Sequence, residues 1–166
     1  YLITGGLGLI GSELANNLTG PTTIISRSDT HKQRLTRSGV VIHYKTILDM
    51  TAKDLEDIDV IYHLASTVDN YNVITDPYID MDTNIRGTIH LLELCKKLSK
   101  KPKFIYPSTF FVYGNQYEKQ QQPITEESPT DPLALYPATK LCAESAIKLY
   151  GKMNHIPIRK KAHSTT

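Results

Sequence analysis

Short apolar runs alternate along this chain with longer stretches in which apolar residues recur every three to four positions. The first pattern predicts strands and the second predicts helices. Strands are predicted over Tyr1–Thr4, Thr22–Ser26, Val40–Tyr44, Val60–Leu64, Lys103–Pro107 and Ile156–Ile158. Helices are predicted over Ile10–Leu18, His31–Ser38, a short stretch near Ala52–Glu56, Tyr78–Leu98 and Tyr136–Met153. Most strand runs are apolar throughout rather than alternating, as in strands covered on both faces. Strand and helix take turns, so the expected fold is α/β, a doubly wound and mostly parallel Rossmann-like sheet. Asn115 to Leu135 carries no periodicity and contains the run Gln120–Gln122; a loop this long is usually a functional surface.

Composition narrows the classes. At 166 residues the chain is one domain at most, with 40% hydrophobic and 22% charged residues and no apolar run long enough to span a membrane. A net charge of +2 argues for neither nucleic acid nor an anionic membrane. Cys95 and Cys142 have no metal-like neighbours and read as reduced thiols of a cytoplasmic protein. The six histidines show no ligand spacing, so no metal is expected. Tyr1 to Thr4 reads as the end of a strand already under way, and the expectation is a fragment.

The first chemical signal is a glycine-rich turn between the first strand and first helix, Thr4-Gly5-Gly6-Leu7-Gly8-Leu9-Ile10-Gly11. Gly5 permits an unusual backbone angle, Gly8 lets a pyrophosphate approach, and Gly11 lets the helix pack close. The helix amides of Leu9 and Ile10 would face the phosphates. An acid about 20 residues on, at the end of strand two, would hold the adenosine ribose. That strand ends Ile24-Ile25-Ser26-Arg27-Ser28 instead. Arg27 suits a 2′-phosphate, so the cofactor is NAD(P), with NADP slightly favoured and NAD still open.

The second signal is Tyr136 and Lys140, four positions apart and so on one helix face, with Thr109 upstream after a strand. A free phenol titrates near 10 and is a poor base. One positive charge at ~4 Å in a partly shielded site is worth about 4 kcal/mol, roughly three pKa units. Lys140 is therefore expected to make Tyr136 usable as a base and to hold the nicotinamide ribose. Thr109 would orient the substrate oxygen.

In these segments the chain resembles the extended short-chain dehydrogenase/reductase family, in its NAD(P)-dependent epimerase/dehydratase group acting on nucleotide sugars. The glycine turn, Asp59 to Ser66, Asn84-Ile85-Arg86-Gly87-Thr88, Ser108 to Gly114 and the approach to Tyr136 carry the resemblance. It implies a cofactor-binding domain over 1–158, with 159–166 a non-matching tail and the substrate half absent. It implies Tyr136 as acid/base, Lys140 as its electrostatic partner and Thr109 as the substrate-orienting hydroxyl. It places Leu64, Ala65 and Ser66 along the cofactor, Asn84 behind the active-site helix and Asp49 near the adenine. A homodimer is a further expectation from the family. Dehydratases of the group carry Asp-Glu after the Thr, where this chain has Phe110 and Phe111, so 4,6-dehydration is disfavoured. Epimerisation of a nucleotide sugar through a transient keto intermediate is the preferred reading. An NADP-dependent reductase of a keto sugar or other ketone, or a non-catalytic dinucleotide-binding fragment, are the alternatives.

Overall fold

The computed structural model describes residues 1–67, 76–115 and 123–161. Six strands form one sheet: β1 (Leu2–Thr4), β2 (Thr22–Ser26), β3 (Val40–Tyr44), β4 (Val60–His63), β5 (Lys103–Pro107) and β6 (Ile158–Lys161). Their order is β3-β2-β1-β4-β5-β6, and each neighbouring pair is parallel. The order reverses between β1 and β4, and in open parallel sheets ligands bind beyond the strand ends at such a point.

Successive side chains of a strand point to opposite faces. Leu2 and Ile25 enter a large core with Ile61, Leu91, Leu92, Phe104, Ala143 and Ile147. Their neighbours Ile3 and Ile24 enter a smaller one on the other face with Leu7 and Ala15. Cys95 is buried in the large core and Cys142 is exposed; both are free.

The helices are α1 (Leu9–Asn17), α2 (Tyr78–Asp80), α3 (Gly87–Lys97) and α4 (Leu135–Asn154). The helix expected over Tyr78–Leu98 is one helical stretch interrupted by a π turn over Met81–Arg86, which separates α2 from α3. Such turns insert a residue and often mark functional positions. Pro137 fits in the first turn of α4, where its missing N–H would have no partner anyway. The helix ends at His155, left-handed at φ 53°, ψ 32°.

Two expectations fail. The helix predicted over His31–Ser38 is only a 3-10 turn, Lys32–Arg34, with no buried residue. Its polar sequence offers no apolar face, and side chains hold the segment in another shape. Asn16 takes the Thr36 amide at 2.9 Å and donates to the Arg34 carbonyl, while Arg37 donates to the Ala15 carbonyl and the Thr22 hydroxyl. The last strand is Ile158–Lys161, so Arg159 to Lys161, set apart above as tail, belong to the sheet. Gln120–Gln122 and residues 162–166 lie outside the described residues. No helix among the described residues is long and apolar enough to cross a membrane.

Candidate active site

At the reversal point β1 runs into the glycine turn. Gly5 has φ +70°, and a Cβ there would lie 2.8 Å from the Ala65 backbone at the end of β4. This conformation and this space both require glycine. A Cβ on Gly11 would lie 2.4 Å from the Gly5 carbonyl oxygen. Gly11 thus keeps α1 against the turn itself, a closer constraint than the helix–sheet contact expected. Around Gly8 only the Gly5 carbonyl comes near, at 3.2 Å. The turn therefore leaves an open cradle at the helix N-terminus, where amides favour an anion.

A cavity of about 400 Å³ opens here, between the ends of β1, β2 and β4 and the π turn. Its walls include Gly5, Gly8, Arg27, Leu64, Ala65 and Ser66, all expected from the sequence. They also include Lys45 and Thr83, which the sequence reading missed. Lys45 sits just past β3, outside any motif, and pairs with Asp54 at 2.5 Å. The cavity, the cradle that a Cβ would fill, and the two cations on its rim fit a dinucleotide.

Six expected cofactor residues do not line that cavity: Leu9, Ile10, Gly11, Asp49, Asn84 and Lys140. Leu9 is 77% exposed, and with Ile10 it edges a separate depression on α1. Asp49 uses its carboxylate to cap its own 3-10 turn, accepting the Thr46 hydroxyl at 2.7 Å and the Thr46 amide at 3.2 Å. Those bonds, the hydroxyl's first, hold its pKa below the usual carboxylate range. Asn84 is buried behind the wall. Its amide oxygen accepts the Ser66 hydroxyl at 2.9 Å and the Thr67 amide at 3.0 Å. Its amide nitrogen donates to the Thr67 carbonyl and to the Thr139 hydroxyl at 3.0 Å.

Asn84 thereby ties the cavity wall to α4, since the Thr139 hydroxyl donates in turn to the Tyr136 carbonyl at 2.7 Å. The chain of bonds continues the other way. The Thr88 hydroxyl donates to the Asn84 carbonyl at 2.7 Å, so it accepts from His63 Nε2 at 2.8 Å. His63 Nδ1 must then accept from the Thr4 hydroxyl at 2.7 Å, and that hydroxyl accepts the Ala65 amide. The network fixes the tautomer. Burial first, and then Lys140, hold the His63 pKa down to about 3, so the ring is neutral. Nothing in the local sequence singled out His63; only the assembled sheet shows its role.

Tyr136 and Thr109 come together, with Ser66 added, while Lys140 sits one turn further along α4. The Ser66 and Thr109 hydroxyls lie beside the Tyr136 phenol as hydrogen-bond partners of its ionised form. The phenol's pKa is raised, by burial first; those two partners oppose the rise and Asp80 adds to it. This differs from the expected phenol drawn down by Lys140. Lys140 is 3% exposed, and its ammonium lies 3.9 Å from the centroid of the Tyr106 ring. Burial lowers its pKa to about 8, against the pull of Glu144. Phe110 and Phe111 follow Thr109 in a 3-10 turn, exposed, with ring centroids 4.2 Å apart. Among the described residues no group of His, Cys, Asp or Glu is arranged to hold a metal.

Known proteins share this fold. The profile of the NAD dependent epimerase/dehydratase family matches residues 1–159. A dTDP-D-glucose 4,6-dehydratase of Dictyostelium discoideum is 33% identical, over 95% of this chain and 41% of its own length. A UDP-glucuronic acid 4-epimerase from Bacillus cereus, solved with UDP-glucuronic acid and NAD, superposes with a TM-score of 0.84 at 32% identity. That match covers 96% of this chain and 54% of the other. A UDP-N-acetylglucosamine 4-epimerase from Methanobrevibacter ruminantium M1 superposes at 0.86 with 26% identity, over 96% and 52%. The chain spans about half the length of the relatives it matches. With its fold, its glycine cradle and the profile match over nearly its whole length, this chain belongs to the NAD-dependent epimerase/dehydratase family.

Proposed function

We propose that this chain is the cofactor-binding and proton-transfer half of an epimerase acting on a nucleotide sugar. One observation carries the reading: the Tyr136 phenol lies beside both Thr109 and Ser66, and Ser66 is a wall of the cavity at the glycine cradle. A reacting sugar carbon facing that wall would have an acid/base group and a hydride acceptor on the same side. A bound nicotinamide dinucleotide supplies the hydride acceptor. Gly5, Gly8 and the first amides of α1 would hold its pyrophosphate. Lys140, assigned to its nicotinamide ribose from the sequence, lies buried against the Tyr106 ring and would have to leave that contact to reach it. Tyr136 takes the proton of the sugar hydroxyl and later returns it, while Thr109 orients the oxygen. Phe110 and Phe111 put no acid after Thr109, which favours epimerisation over loss of water.

A second reading, an NADP-dependent ketone reductase, is favoured by Arg27 and Lys45 on the cavity rim, where a 2′-phosphate would meet two cations. The two readings separate when the full native chain is incubated with a panel of nucleotide sugars and nicotinamide absorbance is followed. The epimerase gives an isomerised sugar without net cofactor change, and the reductase consumes cofactor. Tyr136→Phe should cut turnover about 10²–10⁴-fold with cofactor affinity kept. Unchanged turnover would overturn the assignment of Tyr136. Cofactor binding without turnover of any sugar or ketone would leave the dinucleotide-binding fragment.

A further inference from the structure

Asp80 closes α2 and is 3% exposed. Among the described residues, neither of its carboxylate oxygens finds a hydrogen-bond partner. Burying a carboxylate without partners is costly, so an orphan in a native structure calls for a physical reason. Its position suggests one. Asp80 lies one helical turn before Asn84, and Asn84 is joined through Thr139 to α4. Tyr136 likewise lies one turn before Thr139 and Lys140, and α2 packs against α4. The orphan carboxylate and the phenol thus share one level of two packed helices, above the Asn84–Thr139 bond.

We propose that Asp80 is a positioning residue of this active site, a buried acid beside Tyr136 that disfavours ionisation of the phenol and so sets the pH at which it begins to act as a base. A phenolate beside a carboxylate places two negative charges in a half-buried site, and like charges disfavour ionisation. Burial raises the Tyr136 pKa first, and Asp80 adds to that rise. The other groups facing the phenol are Tyr106 from β5 and the hydroxyls of Ser66 and Thr109; Lys140 and Glu144, further along α4, act on the Tyr106 ring and on each other. Lys140 is the cation among them, and its ammonium is committed to the Tyr106 ring. Asp82, two residues beyond Asp80, is exposed and pairs with Arg86 at 3.6 Å, so its charge faces solvent. Asp80 stands in no motif that the sequence analysis used. The consequence for catalysis rests on the reading of Tyr136 as the proton-transfer group, whereas the titration itself does not.

The test uses the full native chain labelled with 13C at tyrosine Cζ, in which Tyr136 is the resonance missing from Tyr136→Phe. Asp80→Asn should lower the midpoint of that resonance by about one pH unit or more, the size expected for removal of a close like charge. Asp82→Asn removes the same charge from the surface and should move it by less than about 0.2 unit. No shift in Asp80→Asn, or equal shifts in both variants, would overturn the proposal. Asp80→Ser deletes the same charge if the Asn variant does not fold. Where a nucleotide sugar is turned over, the acid limb of kcat/KM should move to lower pH in Asp80→Asn in step with the resonance. An absence of turnover with every sugar would refute the epimerase reading and leave the titration to decide this one.

Discussion

The two sides of the site are built on opposite principles. On the β1–β4 side every buried polar group of the central network has a partner, from the Ala65 amide through Thr4, His63 and Thr88 to the Asn84 carbonyl. On the side facing α4, some buried polar atoms stand alone. Among the described residues neither carboxylate oxygen of Asp80 nor the Tyr106 hydroxyl has a hydrogen-bond partner. Lys140 carries its charge against an aromatic face. A satisfied network fixes geometry, and this one holds the cradle of the cofactor. Unsatisfied groups cost stability and keep chemical capacity, which is where proton transfer is proposed. If that division is right, breaking the first side should destabilise the fold and neutralising the second should stabilise it.

The largest expected effect is on the satisfied side. His63 is fully buried and neutral, with a pKa of about 3 against 6.5 for the free group. Between those values the unfolded chain binds a proton that the folded chain does not, so stability rises with pH through this window and is lost on acidification. The loss approaches roughly 4–5 kcal/mol at the acid end. Urea midpoints measured from pH 7 to pH 4 should fall steeply. His63→Asn should be less stable at pH 7 and show a much flatter dependence. An equally steep fall in that variant would show that other groups govern acid unfolding.

Lys140 is shifted in the same direction, but removing it should have the opposite effect on stability. Its pKa is about 8 in the fold and 10.5 in the reference state, so the folded chain binds fewer protons between those values. Stability therefore rises as pH climbs from 8 to 10.5, and below 8 the whole penalty for burying the charge, roughly 3 kcal/mol, is in force. Lys140→Met should stabilise the protein at pH 7 by about 1–3 kcal/mol, less what the contact with the Tyr106 ring contributed. Thermal or urea unfolding reads this directly. Destabilisation would mean that the ammonium is better paired than its surroundings suggest.

Sequence patterning made the sheet legible because the buried runs are apolar throughout; β2, β3 and β5 have the bounds that the apolar runs predict. It made the glycine cradle legible because only glycine tolerates φ +70° at Gly5 and the 2.4 Å approach at Gly11. Tyr136, Lys140 and Thr109 were legible as a spacing. Their environment was not, because it comes from other elements: Ser66 from the end of β4, Asp80 from α2 and the Tyr106 ring from β5. The phenol was expected to be drawn down by Lys140, but burial and the neighbouring charge raise it. Four-residue spacing places two side chains on one helix face without saying what each one meets there. The helix expected at His31–Ser38 failed for a related reason, since Asn16 and Arg37 organise that segment through bonds to residues distant in sequence.

The smallest test of the division compares two single hydroxyls, both deleted without loss of ring or branch. Tyr106→Phe removes an oxygen that is buried and unpartnered while keeping the ring over which Lys140 lies. Removal of an unsatisfied polar atom should be neutral or stabilise by up to ~1 kcal/mol. Thr88→Val keeps the shape of the side chain but takes away the acceptor of His63 Nε2 and a donor to the Asn84 carbonyl. It leaves a buried ring N–H unpaired and should cost about 1–3 kcal/mol. The sign of the difference, read from paired urea titrations at pH 7, is the point. Two deletions of the same sign would mean that the partners seen on the β1–β4 side add nothing that the α4 side lacks, and the contrast between the two sides would fail as an account of where this fold keeps its stability.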